Sequence, residues 1–153
     1  MSKSKYELES LELIKIIDIA IKSFNEHPPI NWPHEQTLDF IKLYTEEKEF
    51  ILNTKPQFKN VNSVRQRKNN ILIYFQESNG KTVNYFWEKI AANHISLERK
   101  NTLKKVLKRK KILNIQEYDN VIDLMVPYFQ NNMISQNELE NLKTYIGDFE
   151  LKK

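Results

Sequence analysis

The chain has 153 residues, 40% of them hydrophobic and 11% aromatic, which suits one domain or one domain with helical extensions. Two glycines and five prolines exclude collagen-like and glycine-rich chains, and they leave no glycine loop to cradle a phosphate. The absence of cysteine excludes a disulfide scaffold, a cysteine zinc finger and a thiol nucleophile. The formal net charge of +4 is unevenly placed: residues 1–54 carry −4, residues 55–111 carry +12 and residues 112–153 carry −4. A basic middle between acidic flanks is the footprint of a polyanion-binding face.

The pattern in chain order is helical almost throughout, so an all-α fold is expected. From Tyr6 to Phe24, apolar residues at Leu13, Ile16, Ile17, Ala20, Ile21 and Phe24 repeat at helical spacing. Leu8, Leu11, Ile14 and Ile19 widen that stripe, which suggests cover on two sides. Glu12, Lys15, Asp18 and Lys22 interrupt it, so it does not suit a membrane span. With no signal-peptide pattern at the start, a soluble intracellular protein is expected. His27-Pro28-Pro29 ends this helix, and Pro33 opens a second over about 34–52, with Leu38, Phe40, Ile41 and Tyr44 as its expected inner face. A loop follows around Pro56.

Val61 to Glu77 reads as a helix closed by Asn79-Gly80, or as the first strand of a hairpin turning there. The helix is preferred because Val83, Phe86, Trp87, Ile90 and Ala91 downstream keep helical spacing. Ser96 is placed to cap a helix over about 97–113 that buries Leu103, Val106 and Leu107 and turns Asn101, Lys105, Lys108 and Arg109 outward. Helices over about 116–130 (Tyr118, Val121, Ile122, Met125, Phe129) and 136–149 (Leu139, Leu142, Tyr145, Ile146, Phe149) should form an antiparallel hairpin. The expected segments are an N-terminal amphipathic helix at 1–30, a basic three-helix unit at 31–113 and a C-terminal hairpin at 114–153.

Three segments in order resemble the Myb/SANT-like class of helical DNA-binding domains, including its MADF variety. They are Trp32-Pro-His-Glu35-Gln-Thr37-Leu38-Asp-Phe40-Ile41-Lys-Leu43-Tyr44, Phe86-Trp87-Glu88-Lys89-Ile90-Ala91 and the basic Leu97–Leu107, with Pro56-Gln-Phe58-Lys59-Asn60 similar to a MADF segment. A homeobox-like three-helix unit is an alternative reading of the same residues. The resemblance covers about 31–111 and implies a helix-turn-helix-like unit whose third helix faces duplex DNA. On this reading Arg99, Lys100, Lys104, Lys105, Lys108 and Arg109 contact phosphates, and Asn101 reads a base edge or is simply a surface residue. Arg65, Arg67 and Lys68 form either a second phosphate patch or an exposed helix face. Trp32 and Trp87 are expected in the core. Lys108-Arg109-Lys110-Lys111 also has the texture of a nuclear import signal, so nuclear residence is expected.

No catalytic constellation stands out. His27, His34 and His94 lack partners at metal-ligand spacing, and Glu46, Glu47 and Glu49 point around a helix rather than at one another. No enzyme activity, metal, cofactor or small-molecule substrate is expected. Three functions compete. The first is a DNA-binding accessory subunit of a hetero-oligomeric, DNA-acting complex. In general character it resembles the small homeobox-like accessory proteins of ciliate-type N6-adenine DNA methyltransferase complexes. The second is a protein-interaction or scaffold subunit docking through its acidic apolar ends. The third is an RNA-binding protein, since phosphate contacts alone do not separate DNA from RNA.

Overall fold

The first helix begins where the Ser4 side chain accepts a hydrogen bond from the Glu7 backbone N–H at 3.2 Å, satisfying a donor that the helix start leaves free. In the computed structural model, which describes residues 3–152, this helix is α1 (Lys5–Glu26). It is followed by α2 (His34–Leu52), a 3-10 turn at Pro56–Phe58, α3 (Val61–Glu77), α4 (Lys81–Ala92), α5 (Lys104–Arg109), α6 (Ile115–Gln130) and α7 (Gln136–Leu151). There is no strand among the described residues. Residues 61–77 are helix, not hairpin.

The chain divides into two compact units. One holds the chain up to Phe75 together with Gly80–Glu98; the other holds Gln76–Asn79 and the chain from Arg99 onward. In the first unit α1 packs between α2 and α4 and buries Leu13, Ile16, Ile17, Ala20 and Phe24 completely. Phe24 is the hub. The rings of Trp32, Phe40, Tyr44, Tyr74 and Phe75 all lie within 5.9 Å of it, an aromatic cluster that combines large apolar burial with edge and tilted ring contacts. Phe75 stacks in turn on Phe86 of α4 at 3.9 Å. Several polar atoms inside are paired, while the Ser10 hydroxyl is buried without a partner. Tyr44 Oη donates to the Ile71 carbonyl at 2.7 Å, and burial pushes its pKa far above the ordinary tyrosine value. Trp87 Nε1 donates to the Phe75 carbonyl at 2.8 Å, and the Thr82 hydroxyl donates to the His27 carbonyl. Both tryptophans therefore serve the core, as expected.

Gly80 precedes α4 with φ 112° and ψ −177°, a conformation open to glycine and strained for other residues. No atom lies within 4 Å of where a Cβ would stand, so the requirement there is purely one of backbone conformation.

In the second unit α6 and α7 are antiparallel: Tyr118, near the start of α6, stacks on Phe149, near the end of α7, at 5.2 Å. Leu103, Val121, Leu124, Tyr128 and Leu142 are fully buried between α5, α6 and α7. Asn114 caps α6, and Ser135 with Glu138 forms a reciprocal capping box on α7. Pro127 inside α6 has no N–H for the Asp123 carbonyl; the Asn79 amide supplies a donor to that carbonyl at 2.9 Å.

Several expectations are corrected here. The helix expected over 97–113 is reduced to the six residues of α5, and Ser96 does not cap it. The backbone groups of Lys100 and Thr102 are taken by side chains distant in sequence. Tyr128 Oη accepts from Thr102 N–H and donates to the Lys100 carbonyl, and Gln76 accepts from Lys100 N–H at 2.7 Å. On α2 the buried residues are Thr37, Tyr44 and Ile51, while Leu38 is 48% exposed, because the ring cluster around Phe24 selects Phe40 and Tyr44 and so sets the rotation of the helix. On α6 the buried face is Val121, Leu124 and Tyr128, with Ile122 left exposed. Leu8 and Leu11 also remain exposed, so the second side of α1 is uncovered there. Finally, the segments expected at 1–30, 31–113 and 114–153 group differently: α1 belongs to the core shared with α2, α3 and α4, and α5 belongs with the C-terminal hairpin.

Candidate nucleic-acid interface

The basic residues expected to meet a polyanion fall into two sets with opposite surroundings. The first set lies on α3 in the first unit. Arg65 Nε donates to Glu9 at 3.0 Å, Lys68 Nζ to Glu12 at 3.1 Å and Arg67 to Glu47 at 2.6 Å. The Arg67 guanidinium also lies over the Phe50 ring, 3.6 Å from its centre. Each cation of the set is thus matched by a carboxylate from α1 or α2. The acidic N-terminal segment and the basic α3 neutralise one another, and the charge block on α3 is mainly a packing device.

The second set lies in the second unit. Residues 99–111 contain eight basic side chains and no acidic one. Leu103 and Val106 anchor α5 inward, which turns Lys104, Lys105 and Lys108 outward at helical spacing. Lys100, Lys104, Lys105, Lys108, Lys110 and Lys111 are exposed, and none of them makes an ion pair among the described residues. Arg109 is the exception. It pairs with Glu117 at 2.8 and 3.1 Å. Burial pushes the Glu117 pKa up, but the Arg109 hydrogen bonds, the Leu113 N–H and the charges of Arg109 and Lys105 outweigh it, so Glu117 sits below the ordinary glutamate value.

Two of the expected contacts are engaged inside the protein. Arg99 is half-buried: it donates to the Ser78 carbonyl at 2.7 Å and its guanidinium lies 5.2 Å from the centre of the Tyr128 ring. Burial lowers its pKa, with the Tyr128 charge opposing, yet an arginine stays protonated at neutral pH. Its Nε is buried with no partner. Asn101 accepts from Leu103 N–H at 3.0 Å through Oδ1, and its amide nitrogen lies 3.4 Å from the Met133 carbonyl. This is a local turn held by an asparagine, which leaves the amide poorly placed to read a base.

Lys110 and Lys111 stand among the exposed lysines although the sequence reading assigns them only to an import signal. The run Lys108–Lys111 carried the cue. Lys110 closes α5 in the left-handed region with φ 63°, where glycine is the ordinary occupant. Tyr128 is the residue that sequence reasoning gave no functional weight. Its buried hydroxyl gathers Thr102 N–H, Thr102 Oγ1 and the Lys100 carbonyl within 3.2 Å and so holds the loop that leads into α5. Nothing local in the sequence marks it.

Among the described residues no group of three His, Asp or Glu side chains is arranged to hold a metal ion, and no helix is long and apolar enough to cross a membrane. Comparison of the chain with protein-family models, with curated proteins and with solved structures gives no match.

Proposed function

We propose that the chain is a non-catalytic DNA-binding subunit of a larger DNA-acting complex, and that it holds duplex DNA by its phosphates through the lysines of 100–111. The observation that carries this reading is the set of six exposed lysines with no carboxylate partner among the described residues. Unpaired cations crowded on one short segment repel one another, and a polyanion relieves that repulsion while releasing its own counterions. The Myb/SANT-like or homeobox-like resemblance contributes its basic third segment to this proposal. A six-residue α5 is about 9 Å long, so it contacts the sugar-phosphate backbone rather than reading a run of bases in the major groove. Sequence choice and chemistry then belong to other subunits of the complex, an adenine DNA methyltransferase being one candidate, and Lys108–Lys111 serves nuclear import.

The test is fluorescence anisotropy of the full chain with a labelled DNA duplex and a matched RNA duplex across a salt series. The expected result is DNA binding with little dependence on sequence, whose affinity falls by about 10³-fold or more between 50 and 200 mM salt for six phosphate contacts. Tighter binding to the RNA duplex would transfer the proposal to RNA. No binding to either at low salt would refute it.

A further inference from the structure

A groove opens between α2 and α3 in the first unit, with a volume of about 610 Å³. Tyr44 and Ile71 form its floor. Leu43, Phe50 and Phe58 stand around it with half or more of their surface in solvent: 50%, 52% and 65%. Three large apolar side chains gathered on one groove are unusual on a surface that nothing else covers. Leu43, Glu47 and Phe50 follow at i, i+4, i+7, so the α2 wall is about 10 Å long, two turns of helix. The opposite wall is polar, with Ser63, Gln66 and Asn70 on α3 at i, i+3, i+7.

Charge selects the occupant. The one cation facing the groove, Arg67, is taken by Glu47 and by the Phe50 ring. Lys59 is turned onto Tyr6, 5.7 Å from the ring centre. Apart from Arg67, the α3 residues lining the groove are uncharged. On the α2 edge, Asp39 and Glu46 lie beside Leu43 and Phe50, exposed and with no ion pair among the described residues; Lys42 sits further round the helix. The groove is thus apolar within and acidic along one margin, although the chain as a whole carries +4.

We infer that the α2–α3 groove is a docking site for an amphipathic helix of a partner protein. That helix inserts large apolar residues at i, i+3 or i+4, and i+7, and carries lysine or arginine along the side that meets Asp39 and Glu46. Helix-in-groove recognition of this kind draws affinity from the apolar anchors and orientation from the flanking charge.

Two synthetic 14-residue helical peptides with one identical leucine stripe test the inference, one with lysine on its polar face and one with glutamate. The full-length chain is titrated with each and followed by amide chemical shifts. The lysine peptide should bind at least tenfold tighter, with the shifts centred on Leu43, Phe50, Phe58 and Ser63. Phe58→Ala should weaken it at least fivefold, and this half-exposed side chain is removed without opening the core. Asp39→Lys with Glu46→Lys leaves the apolar floor intact and should reverse the preference toward the glutamate peptide. Preference of the unaltered chain for the glutamate peptide, shifts mapping elsewhere, indifference to these variants or no binding of either peptide would overturn the inference. So would concentration-dependent broadening of the groove resonances without peptide, which would assign the groove to a second copy of the chain.

Discussion

The cations of α3 and those around α5 look alike in the sequence and differ in what surrounds them. Arg65, Arg67 and Lys68 meet Glu9, Glu47 and Glu12, and their charge is spent on joining α3 to α1 and α2. The lysines from Lys100 to Lys111 make no ion pair among the described residues, even though Glu117, Asp119 and Asp123 follow closely in the chain and the Lys105 charge is felt at Glu117. Only Arg109 is matched. A block of like charge therefore becomes a binding surface where the fold withholds counter-charge, and a packing surface where it supplies it. The sharpest way to break this comparison is charge reversal of each set. Lys104, Lys105, Lys108 and Lys111 changed together to Glu should lower duplex affinity by about a hundredfold or more and flatten its salt dependence. Arg65, Arg67 and Lys68 changed together to Gln should lower it less than about threefold, because those charges are already neutralised. Equal losses in the two variants, read by the same anisotropy titration, would abolish the distinction.

The same contrast extends to the residues beneath. Around α3, support comes from ion pairs and rings. Around α5, it comes from one buried hydroxyl. Tyr128→Phe keeps the ring under Arg99 but leaves Thr102 N–H and the Lys100 carbonyl without their partner. It should destabilise the second unit by about 1–3 kcal/mol. Hydrogen exchange at Thr102 and Leu103 should rise before that of the α6–α7 hairpin. Unchanged protection at Thr102 would mean that the loop is held by Asn101 and Gln76 alone.

Why the fold was legible in some places and not in others follows from these particulars. Helices α1, α2, α4, α6 and α7 show periodic apolar stripes bounded by Ser4, Pro33, Gly80, Asn114 and Ser135, so local chemistry specifies both their existence and their ends. The segment 97–103 also has a helical pattern, yet it is irregular. Leu97 packs with the first core and Leu103 lies in the second, and the backbone between them is satisfied by Gln76 and Tyr128, partners that no local window contains. The candidate surface was legible as charge density. What was not legible was its division, because only the tertiary structure shows that Glu9, Glu12 and Glu47 pair with α3 while Lys104, Lys105 and Lys108 make no ion pair among the described residues. The α2–α3 groove was hidden for a related reason: Leu43 and Phe50 read as ordinary helix residues until the rotation of α2 is known.

Lys110 sharpens the comparison at a single position, since stability and binding should there move in opposite directions. Its left-handed backbone costs a side-chain-bearing residue about 1 kcal/mol relative to glycine. Lys110→Gly should therefore raise the stability by about 1 kcal/mol, read as a higher denaturation midpoint, while weakening duplex binding a fewfold and lowering the salt slope by about one. If binding is unaffected, Lys110 lies outside the surface and the contact ends at Lys108.

The smallest expected effect concerns the one matched cation of the second set. The Arg109–Glu117 pair is partly exposed, with side-chain exposures of 32% and 24%, so its contribution is only about 0.5–1 kcal/mol. The Glu117 pKa is lowered in the folded chain, where the ionised form accepts from Arg109 and from Leu113 N–H. Its contribution is then fully present above the ordinary glutamate value of about 4.3 and is lost as pH falls through the lowered folded value. Glu117→Gln should accordingly be less stable than the unaltered chain at pH 7, with the gap closing only below about pH 4. The same variant frees Arg109, adding a seventh unmatched cation to the surface, and duplex affinity at pH 7 should rise about twofold or more. Denaturant titrations at pH 7 and pH 3 measure the first effect and anisotropy the second. A gap that stays constant as pH falls from 7 to 3 would show that Glu117 acts through packing rather than charge, and an affinity that does not rise would place Arg109 outside the phosphate contact.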